Sequence, residues 1–159
     1  MGRHGVSRSV YRRLSVLFRT MDAVRHPSSP ESEVEIMPFM RVSLSRTLSD
    51  QQKQELYEKL GQALALIPGK EAFMLIADIE DGKEIYCGGT KQENFAFVDA
   101  RYFSRFEYHV KKAFAQAVMG AIGEIAGTPK ECISMNIFEL TTWGGFGDLA
   151  DEYYQEKTQ

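Results

Sequence analysis

The chain has 159 residues, 43% of them hydrophobic and 26% charged, with a net charge of −3, which suits one ordinary globular domain with some length to spare. Residues 1–36 hold six arginines against four acids, whereas residues 37–159 hold 13 basic and 18 acidic residues, a body of net charge −5. An acidic body lacks the basic footprint of a nucleic-acid binder, and no apolar run approaches the ~20 residues of a membrane span.

The two cysteines, Cys87 and Cys132, have neither metal-ligand spacing nor a CxxC arrangement. They read as buried thiols in a reducing compartment, which places the protein in the cytoplasm.

Residues 1–36 are rich in Arg and Ser, with no acid before Asp22 and with Val10, Leu14, Leu17 and Phe18 at helical spacing. The segment ends in a loop-like stretch from His26 to Ser32 (His-Pro-Ser-Ser-Pro-Glu-Ser). Three readings stay open: an upstream start wrongly assigned, a targeting peptide, or a retained disordered extension. It is too short and too polar for a second domain, so the domain is expected over residues 37–159.

Patterned sequence begins at Met37-Pro38. If translation starts at Met37, removal of that methionine leaves Pro38 as an N-terminal secondary amine. Such an amine has a pKa of roughly 8, and modest desolvation or a nearby cation lowers it toward neutrality. It then becomes a candidate general base. With a residue attached before it, the same nitrogen is an amide without basicity. The plain alternative is a proline that only starts a strand.

From Pro38 the body reads as strand, helix, strand, twice over. Residues Phe39 to Leu44 form the first strand. A capping box at Ser49 and Gln52 opens a helix carrying Leu56, Leu60 and Leu64, which Pro68-Gly69 stops. A largely apolar strand from Phe73 to Ile79 follows, expected to be buried on both faces. Asp81-Gly82 turns the chain into a short strand, Glu84 to Cys87. The second unit has a strand from Phe95 to Tyr102 and a second capping box at Ser104 and Glu107. Its helix carries Phe106, Val110, Phe114, Ala117, Val118, Ala121, Ile122 and Ile125. After Gly127 to Pro129 the last long strand runs from Ile133 to Leu140. The duplication predicts an α+β fold, a tandem β-α-β arrangement whose four-stranded mixed sheet carries two helices on one face. The other face is expected to be apolar and uncovered, hence buried by oligomerisation.

With Pro38 at the head of this duplication, the body resembles the tautomerase superfamily. The likeness is to its macrophage migration inhibitory factor branch, and most to bacterial phenylpyruvate-tautomerase-like members. It rests on Met37-Pro-Phe, on Leu48 to Lys53 (Leu-Ser-Asp-Gln-Gln-Lys) and on Leu66 to Lys70 (Leu-Ile-Pro-Gly-Lys). It continues in Asn94 to Val98 (Asn-Phe-Ala-Phe-Val) and in the tail beginning Trp143-Gly-Gly-Phe-Gly. Together these stretches span nearly the whole body.

The resemblance implies a homotrimer with sites between subunits, and keto–enol tautomerisation of a 2-oxo acid such as phenylpyruvate without cofactor or metal. It makes Pro38 the catalytic base and Lys70 the contact to the substrate carboxylate, a role a compact ammonium suits. Tyr102 falls where the family uses a backbone amide, so its ring need not matter. Asn136 matches the family's asparagine on the last strand, which often crosses the subunit interface. Read without the resemblance, Lys70 is a lysine solvated beside a helix C-terminus, and Asn136 an amide serving local backbone groups.

This chain departs from the family in places. Ser134 stands where an aromatic hydroxyl is common, and Phe146 where a tryptophan is. Arg101 is a candidate second carboxylate contact. Asn94 and Phe97 occupy the positions of the redox CxxC, which removes support for thiol chemistry. His109 has no partner at triad spacing and reads as a surface residue. Two alternatives to the tautomerase accompany this reading. One is decarboxylation or hydration of small unsaturated acids at the same site. The other is a non-enzymatic trimeric binding or cytokine-like protein with a vestigial site.

Overall fold

The computed structural model describes residues 37–145 and 147–151; the readings given for residues 1–36 and for Phe146 lie outside the described residues. Strand β1 (Phe39–Leu44) buries Met40, Val42 and Leu44 completely and turns Phe39, Arg41 and Ser43 the other way. That is the period-2 signature of a sheet covered on one side. Helix α1 (Asp50–Leu64) opens with the expected capping box. The Ser49 hydroxyl accepts from the Gln52 N–H at 3.2 Å, and the Gln52 side chain accepts from the Ser49 N–H at 3.0 Å. Two amides that a helix start leaves unpaired are thereby satisfied. Asp81 reinforces this start from the turn after the second strand, accepting from the Leu48 N–H at 2.8 Å and from Lys53 at 2.9 Å. The bond from Leu48, and then the one from Lys53, hold its carboxyl below the usual range.

The predicted strand from Phe73 to Ile79 needs correction. Residues Ala72–Met74 form a single 3₁₀ turn, and β2 runs over Ile76–Glu80. It is not buried on both faces: Ile76 is 45% exposed. The reason is topological, since β2 is the sheet's edge strand and pairs only with β1. The predicted strand Glu84 to Cys87 shrinks to β3 (Tyr86–Cys87), paired with β4 (Thr90–Lys91) outside the main sheet. Cys87 is therefore exposed rather than buried, and Cys132 is only half-buried.

Strand β5 (Ala96–Phe103) alternates cleanly, with Ala96, Val98, Ala100 and Tyr102 inward. The second capping box is absent. Ser104 has a φ of 79°, α2 spans Tyr108–Ala126, and its N-cap residue Glu107 makes no side-chain cap bond. Phe106 thus precedes the helix, and its N–H is taken by the carboxylate of Glu139 at 2.8 Å. The far end of α2 is held by three distant side chains. Gln52 donates to the Ile125 carbonyl at 3.1 Å, Arg46 to the Ala126 carbonyl at 3.0 Å and Asn94 to the Gly127 carbonyl at 2.9 Å. These are the carbonyls a helix C-terminus leaves open. Gly127 itself takes the left-handed conformation, φ 64°, that glycine adopts without cost.

After the 3₁₀ turn Lys130–Cys132 comes β6 (Ile133–Leu140). The sheet order is β2-β1-β5-β6, with the two outer pairs parallel and the central β1–β5 pair antiparallel. This is the predicted mixed four-stranded sheet built from two β-α-β units. Both helices contribute to one core, α1 through Leu56, Leu60 and Leu64, and α2 through Phe114, Val118 and Ile122. A hairpin that sequence did not suggest, β7 (Thr142–Gly145) with β8 (Asp148–Asp151), ends the described chain.

The open face of the sheet is not the apolar surface expected. Strand register lays its side chains out in rungs across the four strands. One rung is Ile76, Phe39, Arg101 and Phe138, and the next is Asp78, Arg41, Asp99 and Asn136. The second rung is wholly polar, with Arg41 bound to Asp78 at 2.8 Å. A rung that is apolar apart from Arg101 therefore lies beside a polar one, and alternation alone does not reveal that Asp78, Arg41 and Asp99 share a rung.

Candidate active site

Pro38 sits directly before β1 and is buried. Its carbonyl accepts from the Ile76 N–H at 2.9 Å, which ties the residue to β2. Continuing the antiparallel pairing of Phe39 with Arg101 sets Pro38 across from Tyr102 on β5. Its nitrogen lies at the end of a central strand, and strands fix groups more tightly than loops do.

Lys70 lies in the turn after α1, where its N–H donates to the Ile67 carbonyl at 3.0 Å. Gly69, beside it, has a φ of 76° with open space around its α-carbon, so the turn depends on glycine's freedom. One 3₁₀ turn then leads into Ile76, the residue bonded to Pro38. Lys70 is half-buried and belongs to the segment that delivers the chain to the Pro38 end of the sheet.

The Tyr102 ring lies in the core. It is 1% exposed and meets Phe106 and Phe114 edge-on at 5.4 and 6.3 Å. Burial, and then the charge of Glu139, push its phenol well above the ordinary range. It is not an acid or base at neutral pH, and its backbone lies across from Pro38 on the neighbouring strand.

Arg101 is on the open face opposite Phe39. Its guanidinium donates to both oxygens of Asp99, at 3.2 and 2.7 Å, and lies over the Phe138 ring at 5.5 Å. The hydrogen bond and the charge of Asp99 hold its pKa above the ordinary value. Arg101 would have to leave Asp99, or share it, to meet a carboxylate.

Asn136 is not brought to Pro38 within one chain. It lies two strands over and three residues along, roughly 14 Å away at 4.8 Å per strand and 3.3 Å per residue. A small 2-oxo acid does not span that gap. The Asn136 side-chain oxygen is nevertheless buried with no hydrogen-bond partner among the described residues, an uncommon state for an amide acceptor. Phe39, Ile76 and Phe138, which sequence reasoning passed over, surround the Pro38 end on the open face. Stepping by two from Asn136 gives Phe138, and stepping back by two from Arg41 gives Phe39, the open-face positions nearest Pro38. His109 is exposed, as expected.

A shallow groove of about 350 Å³ lies between the helices, lined by Ala63, Leu66, Ala117 and Gly120 and bridged by the Lys59–Glu124 pair. It is on the opposite face of the sheet from Arg101 and Asn136, and its two charged groups, Lys59 and Glu124, are paired with each other at 3.2 Å. Among the described residues no cluster of His, Cys, Asp and Glu could hold a metal, and no helix is long and apolar enough to cross a membrane.

No protein-family model and no curated sequence matches this chain. Solved structures do match. A macrophage migration inhibitory factor-like protein from Entamoeba histolytica superposes with a TM-score of 0.62 at 18% identity, over 71% of this chain and 98% of that one. Pt0534, inactivated by 2-oxo-3-pentynoate, gives 0.63 at 14% identity over 69% and 93%. A fused 4-OT, solved as an asymmetric trimer, gives 0.64 at 20% identity over 70% and 95%. The fold is that of the tautomerase superfamily. In this tautomerase fold nearly the whole of each relative is matched, and the identities of 14–20% establish architecture only.

Proposed function

We propose that the protein is a cofactor-independent keto–enol tautomerase acting on a 2-oxo acid such as phenylpyruvate, with Pro38 as general base. The observation that carries this reading is the placement of Pro38. It heads a central strand, is buried, and has its carbonyl bonded to β2, with the Tyr102 backbone across from it and the Lys70 turn feeding the neighbouring strand. The secondary amine of an N-terminal Pro38 would take a proton from the carbon next to the ketone. The electron pair moves onto the carbonyl oxygen, which is then protonated, so no redox partner or metal is called for. The backbone amide of Tyr102 is the proposed polar contact to the substrate, and Lys70 the carboxylate anchor, with Arg101 as a second contact. That a protein of this fold, Pt0534, is inactivated by a 2-oxo acid supports the substrate class.

The condition is chemical: Pro38 must be the first residue of the active protein. Residues 1–36 and Met37 are on this reading absent from it.

The site is proposed to be completed in a homotrimer, where Asn136 reaches the Pro38 of another copy. The 14 Å gap within one chain, the unpartnered Asn136 oxygen and the trimeric fused 4-OT support this. Sedimentation equilibrium at micromolar concentration should give three times the chain mass, and a stable monomer would contradict it.

Lys70→Ala tests the anchor. It should raise KM for phenylpyruvate by about tenfold or more, the scale of a lost hydrogen bond to a charged group, with a smaller change in kcat. A fall in kcat at constant KM would remove Lys70 from the binding role.

A second reading has its own supporting observation. In the 159-residue chain Pro38 follows Met37, and there its nitrogen is an amide. If that is the working form, the protein is a trimeric binding or cytokine-like molecule whose tautomerase site is vestigial.

A further inference from the structure

The turn between β5 and α2 breaks the rule that sequence suggested for it, and Glu139 is what holds it instead. After Phe103 the chain passes through Ser104 at φ 79°, a conformation a non-glycine residue adopts at some cost. The Ser104 N–H donates to the Leu140 carbonyl at 3.1 Å. Two residues on, the Phe106 N–H donates to one oxygen of Glu139 at 2.8 Å, and Lys111, from the first turn of α2, donates to the other at 3.0 Å. One carboxylate thus bridges the turn and the helix it leads into. Register sets Glu139 beside Tyr102, on the rung that continues to Pro38.

We propose that Glu139 is a positioning residue for the candidate active site: it fixes residues 103–107 and, through them, the Tyr102 backbone across from Pro38. The proposal rests on the reading of Pro38 as the base. The clamp is built to stay charged. Burial pushes the Glu139 carboxyl up, but the bonds from Phe106 and Lys111 outweigh it and leave it below the usual range. The charged or titratable groups facing it are Lys111, Arg105 and Tyr102. A group whose folded pKa is depressed stabilises the fold above its unfolded pKa and loses that contribution as pH falls through the folded one. The clamp is therefore intact at neutral pH and loosens only in acid.

The test has two arms. In the full 159-residue chain, Glu139→Ala should speed hydrogen exchange of the Phe106 amide at least tenfold, a local opening rather than global unfolding. In the chain beginning at Pro38, the same change should lower kcat/KM for phenylpyruvate about 10–100-fold, the scale of a misplaced contact. Glu139→Gln keeps an acceptor for Phe106 but not for Lys111, and should fall between Glu139→Ala and the parent in both arms. It carries the test if the alanine variant does not fold. Faster exchange with unchanged kcat/KM would make the clamp merely structural and overturn the proposal, as would unchanged exchange. A parent protein with no turnover would instead overturn the Pro38 reading, and the exchange arm would still report whether Glu139 holds the turn.

Discussion

Replacing Pro38 by glycine, in a protein whose first residue is position 38, is expected to lower phenylpyruvate tautomerisation by up to about 10²–10⁴-fold, the usual worth of a general base. Glycine keeps an α-amine but makes it primary and frees its rotation, so both basicity and aim suffer. Placing a single residue ahead of Pro38 is expected to be harsher. The nitrogen then becomes an amide and the proton acceptor is gone, although the carbonyl can still accept from Ile76. Circular dichroism should show both variants folded, because the core is made from residues other than Pro38. Loss of rate with retained fold is the expected pair of results. Rates within twofold of the parent for the extended chain would remove Pro38 from the chemistry.

The largest effect on stability is expected at Phe114. This α2 residue is 1% exposed and meets Tyr102 edge-on at 6.3 Å. Truncation to alanine leaves a cavity beside Tyr102, within a core whose other members, Val98 and Val118 among them, are fully buried. Phe→Ala at such sites costs about 3–5 kcal/mol, a large share of the roughly 5–15 kcal/mol that a domain has in total. Tyr108→Ala, at an exposed position six residues earlier, should stay within about 0.5 kcal/mol. Urea unfolding followed at one fixed protein concentration measures both, since an assembly's stability depends on concentration. A Phe114→Ala cost below that of Tyr108→Ala would mean that α2 does not pack as described.

Where one rule of local chemistry governed, the residues spelled out the structure. Ser49 and Gln52 made their capping box, β1 came out at Phe39–Leu44, and Gly127 ended α2. Misreadings arose where tertiary context decided. Phe73 to Ile79 is apolar enough for a central strand, yet β2 lies at an edge, which no single segment reveals about itself. Ser104 and Glu107 have capping-box spacing, but Glu139, on β6, captures the Phe106 amide first. The polar rung of Asp78, Arg41 and Asp99 arises from register between strands far apart in sequence. At the candidate site, motif alone nominated Pro38 and Lys70, and the fold puts them on adjoining segments. The roughly 14 Å separation of Asn136 from Pro38, the Asp99 bound to Arg101 and the inward turn of the Tyr102 ring became visible only once the strands were paired.

The proposed chemistry requires a free amine at Pro38, and one comparison addresses it most directly: the rate of phenylpyruvate enol–keto conversion by the chain beginning at Pro38 against that by the 159-residue chain. The chain beginning at Pro38 is predicted to be faster by about 10²–10⁴-fold. Equal rates in the two would contradict the assignment of Pro38 as the base.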